Sequence, residues 1–238
     1  MKLNLSVFNA TAGFAIAAFA IAQSSSLAGT ITASSPSRDH VAAAISAARS
    51  GDTVKIPAGR ATWKSGVSIP EGKQIVLQGA GIGSTVITQE TTTCISLQSA
   101  RITGISFMMR SGDQAILAQG QGWRVDHCEF RSLTSSRVLS LKAQADPHPW
   151  GVMDNNVHFN ARILVTAPYS WRGQNESWAA PTALGSIETV VVEDSTFDVN
   201  YMGNQIDANY GGHFVFRYNY VTNSQVQAHA VQGNNRGS

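Results

Sequence analysis

Acidic and basic residues that could do chemistry together cluster in the last third of the chain. Glu193 and Asp194 are adjacent, and Asp207, His213 and Arg217 follow within one or two strand lengths. Carboxylates bind cations or exchange protons, and histidine and arginine bind anions or assist proton transfer. We therefore predict Asp194, Asp207 and Glu193 as ligands of a metal or of a bound carboxylate. We predict Arg217, His213 and Asp207 as catalytic residues, with Arg217 or His213 as the base.

The same spacing also allows a structural role. Asp194 and Tyr218 are 24 residues apart, which is about one repeat of the pattern described below. In that register Glu193 and Arg217 would lie side by side on neighbouring strands. An ion-pair ladder on the outside of the fold would use the same two residues, so both interpretations stay open here.

The composition indicates that many short strands position these residues. Of 238 residues, 43% are hydrophobic and 13% are charged, about half the usual charged share. Serine, threonine, asparagine, glutamine and glycine supply the polarity, which suits strands and tight turns. The net charge of +2 gives neither a nucleic-acid footprint nor a polybasic membrane patch. We therefore expect no nucleic-acid partner and no stable membrane insertion.

One helix and one strand are clear near the start of the mature chain. The helix would be capped by Asp39, would bury Val41 and Ile45 on one face, and would end at Gly51. A strand over residues 53–56 would then stop at Pro57.

A repeated unit follows from about residue 74 onward. An extended apolar lead-in and a polar pair recur before a closing apolar or aromatic residue, at Phe107, Phe130, Phe159, Phe197 and Val221. The steps between these positions are 23, 29, 38 and 24 residues, which predicts a solenoid of stacked coils with loops inserted into some of them. The helix would cover the first coil. A β-sandwich is the alternative fold, although it predicts regular hairpins with Asn-Gly or Asp-Gly turns.

The first 28 residues predict a secretory signal. Lys2 precedes a short apolar run over residues 12–22, and Ala22 and Ala28 close two small-x-small cleavage sites. We therefore expect an exported protein, extracellular or periplasmic, with one β-helix domain over residues 29–238. The chain stops without a cap, which predicts a domain truncated at its C-terminal end. Export also permits a disulfide between Cys94 and Cys128, although two buried thiols explain the same apolar runs.

Two stretches carry a resemblance to a known family. Residues 41–88 contain an alanine-rich helix, the segments Gly51–Val54 and Ile56–Gly59, and a glycine-rich turn over residues 78–87. Trp123–Phe130 has the sequence WRVDHCEF, which is similar to the strand motif of pectate lyases. From about Asp39 to its end, the chain resembles the pectin-lyase-like superfamily. The resemblance implies an all-β, right-handed parallel β-helix with an N-terminal capping helix.

The resemblance also implies action on an extracellular polysaccharide, in first place cleavage of a uronate polymer by a lyase. That reaction needs a base for the proton α to the uronate carboxylate and a cation to neutralise it, and the family admits Ca²⁺ as a cofactor. The further calcium ligands and the arginine-rich coil of pectate lyases are not complete here. Glu193-Asp194 and Gly211–His213 are loosely similar to the carboxylate pair and Gly-His-Gly turn of galacturonan hydrolases. A glycoside hydrolase and a non-catalytic, tailspike-like glycan-binding module therefore remain alternatives.

Three aromatic residues are candidates for contact with such a polymer. Trp171 and Trp178 lie in the longest step of the repeat, and Tyr210 lies in the polar turn over residues 207–213. They could stack on sugar rings, or they could pack their loops onto a coil. Asp126-His127 and Asp154–Asn156 are interpreted as turn residues that bond the local backbone. We expect a monomer.

Overall fold

A computed structural model describes residues 27–110, 112, 114–133, 138–144, 149–166, 189–198, 205–209, 212 and 214–223. For residues 138–140 and 209 it describes the backbone alone. Most of the predicted signal segment, up to residue 26, lies outside these residues. Within the described part of the chain, no helix is long and apolar enough to cross a membrane.

One helix and 21 strands follow each other along the chain. They are β1 (Thr30–Thr32), α1 (Arg38–Ala47), β2 (Thr53–Lys55), β3 (Gly59–Trp63), β4 (Val67–Ile69), β5 (Val76–Gln78), β6 (Thr85–Gln89), β7 (Thr93–Leu97), β8 (Arg101–Thr103), β9 (Ser106–Met109), β10 (Gln114–Ala118), β11 (Gln121–Asp126), β12 (Glu129–Ser132), β13 (Val138–Gln144), β14 (Trp150–Asp154), β15 (Val157–Phe159), β16 (Ala161–Thr166), β17 (Val190–Glu193), β18 (Thr196–Asp198), β19 (Ile206–Asn209), β20 (Phe214–Arg217) and β21 (Tyr220–Thr222).

These strands form three parallel sheets that together make a β-helix, as predicted. Sheet A has eight strands in the order β1-β2-β5-β8-β11-β14-β17-β20. Sheet B has seven in the order β21-β18-β15-β12-β9-β6-β3, and sheet C has six in the order β19-β16-β13-β10-β7-β4. The chain passes repeatedly from sheet A to sheet B to sheet C, so each strand pairs with its counterpart one coil away. The β-sandwich alternative is excluded because its sheets would be antiparallel.

Helix α1 covers the first coil, which confirms the predicted cap. Val41, Ala44 and Ile45 are buried and belong to the same core as the first strands. The predicted helix ends are wrong by a few residues, because Ser37 is the N-cap residue and the helix ends at Ala47 rather than at Gly51. Asp39 lies in the first turn, where its charge still suits the helix dipole.

The core of sheet B is a stack of aromatic rings. Phe107, Phe130, His158 and Phe197 occupy equivalent positions on neighbouring strands, with ring centroids 5.3, 5.1 and 4.2 Å apart. The sequence pattern had placed Phe159 in this column. That assignment is wrong by one residue: Phe159 points outward, and its ring lies under the guanidinium of Arg131 at 4.7 Å.

A two-residue turn between sheets A and B explains the shift. The first residue of this turn has a positive φ at His127, Asn155, Asp194 and Tyr218, between 49° and 55°. Aligning Asp154 with Asp126 then places His158 opposite Phe130. Asn156, at the second turn position, accepts a hydrogen bond from the Cys128 amide and donates one to Val125, at 2.9 Å each.

Both cysteines are free and fully buried. Cys94 belongs to sheet C, whereas Cys128 lies in the turn between sheets A and B. The interpretation as two buried thiols is therefore the one that the structure supports. Burial raises the pKa of Cys94, and it raises that of Cys128 to about 12.

Candidate functional site

Charged residues line the outer face of sheet A, at two positions on either side of one buried position per strand. Val125, for example, points into the core between Arg124 and Asp126. The position of Asp126 is occupied on the following strands by Asp154, Glu193 and Arg217. Parallel pairing thus brings acidic and basic side chains from several coils onto one face.

Two arginines of this face are held by aspartates of the next coil. Arg101 donates hydrogen bonds from Nε and Nη2 to the two carboxylate oxygens of Asp126, at 2.7 and 2.6 Å. Arg124 binds Asp154 in the same way, at 2.9 and 2.7 Å. Such two-point contacts fix the guanidinium plane. Among the described residues, none hydrogen-bonds Nη1 of either arginine.

Burial differs sharply between the two sides of these pairs. The Asp126 side chain has 0% exposure and that of Asp154 has 6%, whereas those of Arg101 and Arg124 are 42% and 46% exposed. The carboxylates are therefore shielded, while a face of each guanidinium reaches solvent. Arginines held in this way can bind a further anion without first being ordered.

Electrostatics favour the charged form of every member of this cluster for which a shift is resolved. Burial acts to raise the pKa of Asp126, but hydrogen bonds from Arg101 and His127 and the nearby guanidinium charges outweigh it. The pKa of Asp126 is therefore below its ordinary value. The hydrogen bond to Asp126 raises the pKa of Arg101, and the one to Asp154 raises that of Arg124.

The two arginines line a groove of about 420 Å³ at the edge where sheet A begins. We call it the sheet A groove. Its other side chains are amides, hydroxyls and one aromatic ring: Gln74, Ser99, Gln121 and Trp150. A second groove of about 430 Å³ shares Gln74, Ser99 and Gln121 and adds Gln98, Gln119 and Glu71. Ligand sites commonly have volumes of this order.

Trp150 owes its place in the groove to a glycine on the neighbouring strand. Gly122 has a φ of +71°, and a Cβ atom built there would lie 3.3 Å from the Trp150 ring. The indole is therefore packed against bare backbone while remaining partly exposed. A partly exposed ring beside arginines and amides suits a ligand that has both apolar and polar faces.

The predicted contact between Glu193 and Arg217 is present. The two residues pair on β17 and β20, and Arg217 Nε donates to Glu193 Oε2 at 2.7 Å. Asp194 occupies the next turn and is exposed, with a φ of 49°. The hydrogen bond and charge of Glu193 raise the pKa of Arg217, so its guanidinium is a cation rather than a base.

Asp207 lies elsewhere in the fold. It belongs to β19 of sheet C, its side chain is 9% exposed, and Arg162 Nη1 lies 3.2 Å from its carboxylate. The structure therefore separates Asp207 from Glu193 and Asp194 by placing them on different sheets. No three histidine, cysteine, aspartate or glutamate side chains in the described part of the chain form a group that could hold a metal ion. The carboxylates proposed as calcium ligands do not form one site there.

Four other predicted site residues lie outside the described residues. They are His213 of the catalytic set and the aromatic residues Trp171, Trp178 and Tyr210.

Sequence reasoning assigned Asp126-His127 and Asp154–Asn156 to turns and did not connect them with Arg101 or Arg124. The available signal was the order Arg-Val-Asp at residues 124–126, with a second arginine near one repeat length upstream. Only the strand register shows that each arginine binds the aspartate of the next coil.

No family model and no characterised protein matches the sequence. Two solved structures are similar in shape. One is described as ORF18 of Geobacillus virus E2, with 10% identity and a TM-score of 0.32 over 86% of this chain. The other is an alginate lyase from Paenibacillus sp. str. FPU-7, with 10% identity and a TM-score of 0.28 over 88% of this chain and 99% of its own. The chain spans 62% of the length of the viral protein. At these values the similarity identifies no shared activity.

Proposed function

We propose that this protein is an exported β-helix protein that binds an acidic polysaccharide in the sheet A groove and cleaves it by β-elimination. The observation that carries the proposal is the pair Arg101 and Arg124, each fixed by a buried aspartate and each open to solvent. A uronate polymer presents a carboxylate on every sugar, and a fixed arginine binds a carboxylate with defined geometry.

The other side chains of the groove match the rest of such a ligand. Gln74, Gln121 and Ser99 offer donors and acceptors for sugar hydroxyls, and Trp150 offers a ring face for the apolar side of a sugar. The groove continues past several coils into the second, amide-lined groove. A continuous polar channel suits a linear polymer better than a single small molecule.

Elimination is favoured over hydrolysis by the kind of charge that the groove exposes. Hydrolysis needs two carboxyl groups facing the scissile bond, but the aspartates beside the groove are buried and bound to arginines. Elimination needs a cation near the substrate carboxylate, which the arginines supply. A non-catalytic glycan-binding role is the second candidate, because Glu71 is the one titratable side chain besides the arginines among the described residues lining the two grooves.

The residues first predicted near the C-terminal end give a second place for the same reaction. There Arg217 or His213 would act as base, and Asp194, Asp207 and Glu193 would bind a cation or a carboxylate. The contact between Arg217 and Glu193 supports a shared location for those two residues alone.

Mature protein mixed with polygalacturonate or alginate, with Ca²⁺ or with a chelator, tests the proposal. Cleavage by elimination produces an unsaturated uronate, so the ultraviolet absorbance of that product should rise on one of the two polymers. Affinity electrophoresis in gels that contain the same polymers measures binding separately. Binding without a rise in absorbance would favour the non-catalytic role, and neither signal would overturn the proposal.

Two double variants locate the site. Arg124→Gln with Asp154→Asn removes one ion pair of the sheet A groove and leaves the net charge and a hydrogen-bonding pair in place. Arg217→Gln with Glu193→Gln does the same at the C-terminal end. We expect the first double variant to bind at least about 10-fold more weakly, since a hydrogen bond to a charged group contributes about 1.5–3 kcal/mol. Weakening by the second variant alone would move the site to the last coils.

A further inference from the structure

We propose that His127 is the proton-transferring residue of the site, taking the proton α to the substrate carboxylate. This inference rests on the proposed function and names the base that the groove itself lacks. It follows from how His127 is held, from what lies beside it, and from a comparison with the equivalent residue one coil away.

The imidazole is exposed on one side and bound on the other. Nδ1 of His127 lies 2.8 Å from Asp126 Oδ2, and 62% of the side chain is exposed. Because an ionised carboxylate can only accept, a neutral imidazole must carry its proton on Nδ1 in this contact. Nε2 then presents a lone pair, and no described residue hydrogen-bonds this atom. Neutral histidine oriented by a carboxylate is a common general base.

The cation required by the reaction lies next to this base. Arg101 Nη2 donates to the same oxygen, Asp126 Oδ2, at 2.6 Å. Arg101 lines the sheet A groove, so a substrate carboxylate bound to it would lie near His127. The buried Asp126 therefore holds the anion-binding group and the proton acceptor in one fixed arrangement.

The turn does not itself require histidine. Asn155 occupies the same turn position one coil further on, with a φ of 54° against 51° for His127. Its Nδ2 donates to Asp154 Oδ2 at 2.8 Å, which reproduces the contact between His127 and Asp126. Asparagine therefore satisfies the backbone and the carboxylate at this position. What histidine adds is a nitrogen that can accept a proton.

The step balances without a further reactant. Nε2 takes the proton α to the carboxylate, and the electrons of that C–H bond form a double bond to the β carbon. The bond from the β carbon to the glycosidic oxygen breaks, and its electron pair leaves with that oxygen. The imidazolium then returns the proton to the leaving oxygen, so the products are an unsaturated uronate and a free sugar hydroxyl.

His127→Asn is the sharpest test, because it converts this position into its natural counterpart at residue 155. Folding, thermal stability and binding in affinity gels should stay close to those of the wild type. The cleavage rate should fall at least about 100-fold, the usual contribution of a general base. His40→Asn, which changes an exposed histidine on α1, is the matched control and should cleave at the wild-type rate.

The outcomes separate this inference from the proposed function. Cleavage by His127→Asn at the wild-type rate would overturn the role of His127 and leave the lyase activity standing. Absence of cleavage by the wild-type protein on both polymers would overturn the proposed elimination and the role of His127 with it. Loss of binding together with cleavage in His127→Asn would also overturn the role, since it would place His127 among the binding residues.

Discussion

Replacing His158 with phenylalanine should make the protein less sensitive to acid. His158 lies between Phe130 and Phe197 in the aromatic column, with 0% exposure. Burial lowers its pKa from 6.5 to about 3, so the folded protein keeps this imidazole neutral where the unfolded chain would protonate it. Between those two values the unfolded state binds more protons, and stability is lost as the pH falls.

The size of the effect follows from the shift. Each pH unit inside the window costs up to about 1.4 kcal/mol, so acidification from near pH 7 to about pH 5 should cost roughly 2 kcal/mol through His158. His158→Phe should lack this loss, whereas any change in packing should affect its stability equally at both pH values. Comparing the two proteins therefore isolates the proton.

Urea denaturation at the two pH values, followed by tryptophan fluorescence, measures this difference. The free energy of unfolding of the wild type should fall by about 2 kcal/mol more than that of His158→Phe. His40→Phe is the control, because His40 is exposed on α1 and its replacement should leave the acid sensitivity of the wild type. Equal losses in the wild type and His158→Phe would refute the buried neutral imidazole.

Two further predictions test packing around the site and in the core. Gly151→Ala should lower the free energy of unfolding by about 1–3 kcal/mol, because its Cβ would lie 2.2 Å from the ring of the buried Trp123. Urea denaturation measures it, and Trp123→Leu in the same chain should recover part of the loss; additive losses would contradict the clash. Cys94 and Cys128 should react with a thiol reagent only after denaturation, since both are buried, and modification in the native protein would contradict their burial.

The fold was predictable because its repeat is written in residues that fix a backbone conformation. The polar turn residues at 126–127 and 154–155 mark the passage between sheets A and B, and the apolar residues around them mark the core. The register between coils was harder to predict. The sequence offers both His158 and Phe159 as the closing residue, and only the two-residue turn decides that His158 faces inward.

The candidate site was predictable where partners lie one repeat apart and not where they lie on different sheets. Glu193 and Arg217 are separated by one coil, so their contact followed from the 24-residue spacing. Asp207 is near both in sequence but belongs to sheet C, and its partner Arg162 lies 45 residues away. In a β-helix, nearness along the chain often means a neighbouring sheet, whereas nearness in space means the same position one coil away.

The turn between sheets A and B shows why a site on such a fold escapes sequence patterns. Its first position demands a residue that tolerates positive φ, and His127, Asn155, Asp194 and Tyr218 all meet that demand. Because the backbone is satisfied by several residue types, the side chain is free to differ from coil to coil. Chemistry can therefore be placed at one coil without changing the repeat. His127 stands out only through its contact with Asp126 and, through that carboxylate, with Arg101.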